Sequence, residues 1–97
     1  MKMPDLKPIL VVEDNPKDLE LTLTALEQCK RANSVEVVRD GAEALDYLFC
    51  RGDFAGRNSG SPAVVLLGLK LPKLDGLDVL RAVKASADLR HTPVVML

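Results

Sequence analysis

The stretch Ala63-Val64-Val65-Leu66-Leu67-Gly68-Leu69-Lys70-Leu71-Pro72-Lys73-Leu74-Asp75-Gly76 decides how this chain is read. Ala63 to Leu67 is a continuous apolar run, too short for a buried helix and without the alternation of a half-exposed strand. It predicts a strand covered on both faces. Gly68 ends it, and the segment through Pro72 to Gly76 is a loop. Asp75 is placed to cap a helix, in which Leu77, Leu80 and Val83 recur at helical spacing and mark the expected inner face.

The same alternation continues outward in both directions. Ile9-Leu10-Val11-Val12 is a second doubly buried strand, stopped by Glu13-Asp14-Asn15-Pro16. Asn15 can cap a helix and Pro16 fits its first position. That helix is expected to run to about Arg31, with Leu19, Leu23 and Leu26 as its apolar stripe. Val35, Val37 and Val38 form a short strand. Asp40-Gly41 opens a helix from about Ala42 to Phe49, with Ala42, Leu45, Leu48 and Phe49 as its buried face. Residues 51–62, rich in glycine, read as a long surface loop. After a loop from Asp88 to Thr92, Pro93-Val94-Val95-Met96-Leu97 begins a fourth strand. The order β-α-β-α-β-α-β predicts an α/β fold with a parallel sheet and helices on both faces. In such sheets the functional crevice lies beyond the carboxyl ends of the strands. The acidic pair Glu13-Asp14 and Gly68 with its loop both belong there.

With 97 residues, there is room for one small domain only. A chain of this size buries roughly 60–65% of its unfolded surface, which leaves a thin stability margin. Aromatics make up 3% of the residues and Trp is absent, so Leu, Val, Ile and Ala must build the core. The net charge of −1 and the lack of a basic block argue against nucleic-acid or membrane-surface binding. No apolar run approaches the roughly 20 residues that span a bilayer, and no signal peptide is evident. Cys29 and Cys50 lack metal spacing and are expected to be reduced, which fits a cytoplasmic protein.

Two adjacent carboxylates repel unless a cation or proton joins them. Hard oxygen ligands suit Mg²⁺ or Mn²⁺. Acidic residues are also favoured near a helix start by the helix dipole, and spacing alone leaves both readings of Glu13 and Asp14 open. Asp75 and Asp78 read as structural. The lone histidine, His91, reads as a solvated loop residue, and Arg51, Arg57 and Lys70 as surface cations. The glycines between Gly52 and Gly60 carry no P-loop lysine pattern.

The segments ILVVEDN (residues 9–15), VRDGAEAL (38–45), VVLLGLKLPKLDGLDVL (64–80) and PVVML (93–97) resemble, in order, the first four strands and adjoining helices of the response-regulator receiver family. The long loop after Tyr47-Leu48-Phe49 resembles stand-alone regulators partnered with bacterial phytochrome-type histidine kinases. The resemblance implies a flavodoxin-like, doubly wound sheet of strand order 2-1-3-4 over the single domain 1–97. It implies that the chain stops before the family's fifth strand and last helix, which carry a phosphate-contacting lysine, and before the switch hydroxyl that follows the fourth strand. It also implies a Mg²⁺ held by Asp14, by Glu13 and by the backbone carbonyl of Lys70.

Receivers accept a phosphoryl group on an aspartate at the end of the third strand. Where family sequences read LLDLKLP this chain reads LLGLKLP, so Gly68 stands at the acceptor position. The function implied is two-component signal transduction by a module that binds a histidine kinase or another receiver but is not phosphorylated at the usual place, with Mg²⁺ held weakly. Two alternatives stand beside it. One is homo-association, as a dimer or swapped dimer, through the sheet edge left open by the short C-terminus. The other is a small-ligand protein on the same architecture. No nucleophile–base pair or cofactor loop appears, so an enzyme is not expected.

Overall fold

The computed structural model describes residues 7–28, 34–57 and 61–97. Strands β1 (Ile9–Val12), β2 (Val35–Val38), β3 (Val64–Leu67) and β4 (Val94–Met96) alternate with helices α1 (Pro16–Gln28), α2 (Gly41–Leu48) and α3 (Gly76–Ala85). All strand pairs are parallel and the sheet order is β2-β1-β3-β4. Val12 pairs with Val38 on one side and Leu67 on the other, which brings the carboxyl ends of three strands to one line. The doubly wound, flavodoxin-like expectation therefore holds.

Side chains alternate along each strand, and here both faces are covered. Leu10, Val12, Val38, Val65 and Leu67 face Ala44, Tyr47 and Leu48 of α2 and Val79 and Val83 of α3. Ile9 and Val11 face Leu19 of α1, with Leu23 and Leu26 packed alongside. All four residues of β1 are buried. Each buried Val, Leu or Ile contributes about 1.5–3 kcal/mol relative to exposure. The central strand is thus the main seat of stability.

The helix caps follow the local sequence. Asn15 Oδ1 accepts from the N–H of Lys17 at 2.9 Å and of Asp18 at 3.2 Å. Asp40 Oδ1 accepts from Glu43 at 2.7 Å, and Asp75 Oδ1 from Asp78 at 3.0 Å. Helix α1 is described as far as Gln28, and its expected continuation to Arg31, with Cys29, lies outside the described residues.

Three expectations need correction. Leu77 is 46% exposed; of the expected inner face of α3, Leu80 and Val83 do face the core, joined by Gly76 and Val79. The helix starts at Gly76, so the buried row runs through that glycine, one step from the row drawn through Leu77. In α2, Ala44 and Tyr47 are buried and Phe49 lies exposed just past the helix end; Ala42 is only half-buried. The long loop is also not featureless, since Gly52–Phe54 form a 3-10 turn. Cys50 is a free, half-buried thiol. Among the described residues no helix is long and apolar enough to cross a membrane.

Candidate functional site

At the carboxyl end of β1 the chain turns sharply, and Glu13 is drawn inward. Its Oε1 accepts from the N–H of Asp14 at 3.0 Å and of Asn15 at 3.1 Å, and its own N–H donates to Val38 O at 3.1 Å. Glu13 is only 8% exposed. A buried carboxylate requires such donors. Asp14, one residue on, is exposed.

Gly68 lies directly beside this turn, donating its N–H to Val12 O at 2.8 Å. A Cβ built on Gly68 would lie 3.0 Å from Val12 O, 3.1 Å from Glu13 Oε2 and 3.3 Å from Leu71 Cδ2. A side chain at this position would therefore start against the Glu13 carboxylate. The other side of Gly68 is closed by the start of α3. Gly76 donates to Leu69 O at 2.9 Å, and any Cβ on Gly76 would run into the carbonyl oxygen of Gly68. Glycine at 76 is thus a packing requirement.

Glu13, Asp14 and Lys70 line one open cavity of about 740 Å³, together with Asp18, Leu69 and Leu97. The structure places Glu13, Asp14 and Lys70 in one cavity wall, with Gly68 next to Glu13. It also adds Asp18, Leu21 and Thr22 of α1 to the wall, which the sequence reading passed over. Their i, i+3 and i+4 spacing places them on one helical face, and this was the signal available.

Other candidates lie elsewhere. His91 is exposed, on the rim of a small depression with Lys7 and Asp88. Arg51 pairs with Asp46 at 3.6 Å. Arg57 is not a plain surface cation but a half-buried one bonded to Tyr47 O. Asp75 caps α3, and Asp78 pairs with Arg81 at 3.5 Å.

The cavity is lined by three carboxylate residues, Glu13, Asp14 and Asp18, and by Lys70. Mg²⁺ is commonly held by one or two carboxylates while keeping several waters, so the donor types fit. The set is sparse, however. Glu13 Oε1 is already engaged, and among the described residues no group of three or more His, Cys, Asp or Glu side chains is placed to hold a metal.

Residues 9–97 match the response regulator receiver domain model. The chain is 44% identical over 89 residues to the probable methanogenesis regulatory protein FilR2 of Methanothrix harundinacea, covering 92% of this chain and 56% of that protein. It is 38% identical over 91 residues to the response regulator Rcp1 of Synechocystis, covering 94% of this chain and 60% of that protein. Among solved structures, the bacteriophytochrome response regulator RtBRR superposes with a TM-score of 0.93 at 63% identity, over 95% of this chain and 55% of that one. AtBRR superposes at 0.92 and 68% identity, over 96% and 66%. The Mn²⁺-bound form of Rcp1 superposes at 0.84 and 37%, over 93% and 63%. The chain thus spans about 55–66% of the length of these proteins. On its family match, its sequence identity to these relatives and its sheet order, it belongs to the response regulator receiver domain family of two-component signalling and is similar to the phytochrome response regulators.

Proposed function

We propose that this chain is a receiver module that engages a histidine kinase of the phytochrome type while lacking the carboxylate that accepts the phosphoryl group. The observation that carries this reading is the position of Gly68. It follows the end of β3, its N–H bonds Val12 O at 2.8 Å, and a side chain built on it would start 3.1 Å from Glu13 Oε2. The similarity to bacteriophytochrome response regulators supports the kinase class.

Glu13, Asp14 and the Lys70 carbonyl would hold a divalent cation, Mg²⁺ in the cell. The Mn²⁺-bound form of Rcp1 supports a cation of this type. When bound, it offsets the repulsion between negative groups brought together in phosphoryl transfer. Glu13, fixed by two N–H donors, keeps one oxygen turned toward Gly68. Asp14 stays solvent-facing at the mouth. Glycine offers no oxygen to this cluster, so the cation is held weakly and no enzymatic role is assigned.

Incubation with acetyl phosphate and Mg²⁺, followed by mass spectrometry, is expected to leave the chain unmodified. An acid-labile adduct on any residue would overturn the claim. Gly68→Asp supplies a further carboxylate and is expected to raise Mn²⁺ affinity on the order of tenfold or more. An affinity equal to that of the parent chain would sink the metal assignment.

A second reading is favoured by the outer edge of the sheet. Val95, Met96 and Leu97 are 49%, 37% and 50% exposed, and an apolar edge strand is a template for another chain. Homo-association through β4, as a simple or a swapped dimer, predicts a sedimentation coefficient that rises with concentration and falls back for Val95→Lys. A concentration-independent monomer would remove this reading.

A further inference from the structure

A helix leaves its last carbonyls without in-helix partners, and α2 resolves this with the segment that follows it. Asp46 O accepts the N–H of Arg51 at 2.8 Å, and Tyr47 O accepts that of Cys50 at 3.3 Å. Tyr47 O also accepts from further along the chain, taking Nε and Nη2 of Arg57 at 3.0 Å and 2.7 Å. The same guanidinium lies over the Tyr47 ring, 4.0 Å from its centroid. Phe54 meets that ring edge-on, at 5.2 Å and 75°.

The return of the chain is built into the backbone. Cys50 and Gly52 adopt φ of 54° and 55°, and the 3-10 turn Gly52–Phe54 follows. Residues 51–57 therefore form a strap folded against the end of α2. A cation at a helix carboxyl terminus is favoured by the dipole. The planar fork of arginine can bond a carbonyl and stack on a ring together, which an ammonium cannot.

The amino end of α2 is tied to a different place. Asp40 Oδ2 lies 3.6 Å from Lys73 Nζ, and Gly41 donates to Pro72 O at 3.3 Å. A Cβ on Gly41 would collide with the Leu74 carbonyl, so helix and loop are in direct backbone contact. Pro72 to Leu74 belong to the loop that leaves Gly68 and carries Lys70. Helix α2, eight residues long, spans about 12 Å between these two attachments.

We propose that Arg57 is a latch. It holds the 51–57 strap closed on α2 and, through α2, holds the Pro72–Leu74 part of the loop that follows Lys70. Opening the latch frees the strap, uncaps α2 and loosens that loop, while the strands stay intact. The device depends only on these contacts and stands whether or not Gly68 is the phosphoacceptor position.

Hydrogen–deuterium exchange on the whole chain tests it. Arg57→Ala is expected to speed exchange in residues 46–57 by about tenfold or more, as befits loss of a charged hydrogen bond. A smaller increase is expected at Leu74 and Gly76, with none in β1 and β3. Unchanged exchange at 46–57 would overturn the latch. A faster strap with an unchanged loop would overturn the coupling, and equal acceleration everywhere, β1 included, would reduce Arg57 to a general stabiliser and overturn the proposal. Arg57→Lys keeps the charge without the fork. It is expected to show intermediate exchange at 46–57, and it serves as the variant should Arg57→Ala lose its far-ultraviolet helix signal. Exchange equal to the parent chain in Arg57→Lys would show that charge alone suffices and would reject the forked latch.

Discussion

Tyr47 shows how one residue reports its surroundings. Burial pushes its hydroxyl above the ordinary value of 10.0, the nearby Arg57 charge works the other way, and Glu36 and Cys50 add to the rise. The folded state therefore holds this proton more tightly than the unfolded chain does. Its contribution to stability is complete below pH 10 and is lost as the pH climbs through the raised value. The chain has one tyrosine and no tryptophan, so tyrosinate absorbance reads this group alone. The absorbance should rise at a higher pH in the native chain than in urea, and coincident curves would contradict the burial. Glu13 and Gly68 also act as single residues, one supplying a fixed carboxylate and the other withholding one. Both were legible as an acidic turn and a glycine at a strand end. The distance between them was not, because it depends on strand pairing between residues far apart in the chain.

Helix α2 is the element on which most of the local argument rests. Its amino end is capped by Asp40, whose carboxylate also faces Lys73. Asp40→Ala should lower stability by about 1 kcal/mol, within the usual 0.5–2, measured as a shift in urea midpoint at constant slope. A change below a few tenths would mean that Lys73 and the 72–74 loop hold the helix without the cap. The helix was expected from Asp40-Gly41 and its apolar spacing, and Leu45 and Leu48 do face the core, but Tyr47 and Ala44 take the buried places expected of Phe49 and Ala42. Tyr47 packs inward because Arg57 and Phe54 cover it. Phe49 falls past the last turn and is left outside with Arg51 over its ring. Nothing in the periodicity of residues 41–49 announces a partner ten residues downstream.

At the scale of the molecule, stability is concentrated on β1, whose four residues are buried between α1 on one face and α2 and α3 on the other. Leu10 is fully buried, so Leu10→Ala should cost about 2–5 kcal/mol. A domain of this size has a total of about 5–15 kcal/mol, so the variant should melt at a much lower urea concentration or be partly unfolded in buffer. A loss under 1 kcal/mol would argue that the sheet is not the core. At the β4 edge of the sheet Val95, Met96 and Leu97 are exposed, and association through β4 is the corresponding expectation.

The amino-acid sequence by itself determined the alternation of strands and helices, the caps at Asn15 and Asp75, and the presence of an acidic turn after one strand and a glycine after another. These are local matters, set by spacing, side-chain reach and backbone freedom over a few neighbouring residues. Only the tertiary structure decided that Glu13 Oε2 faces Gly68, that Asp18 and Leu97 share the cavity wall, and that Arg57 closes a strap on α2. Each of those contacts joins segments separated along the chain, and its geometry comes from parallel pairing and helix packing that no single stretch encodes.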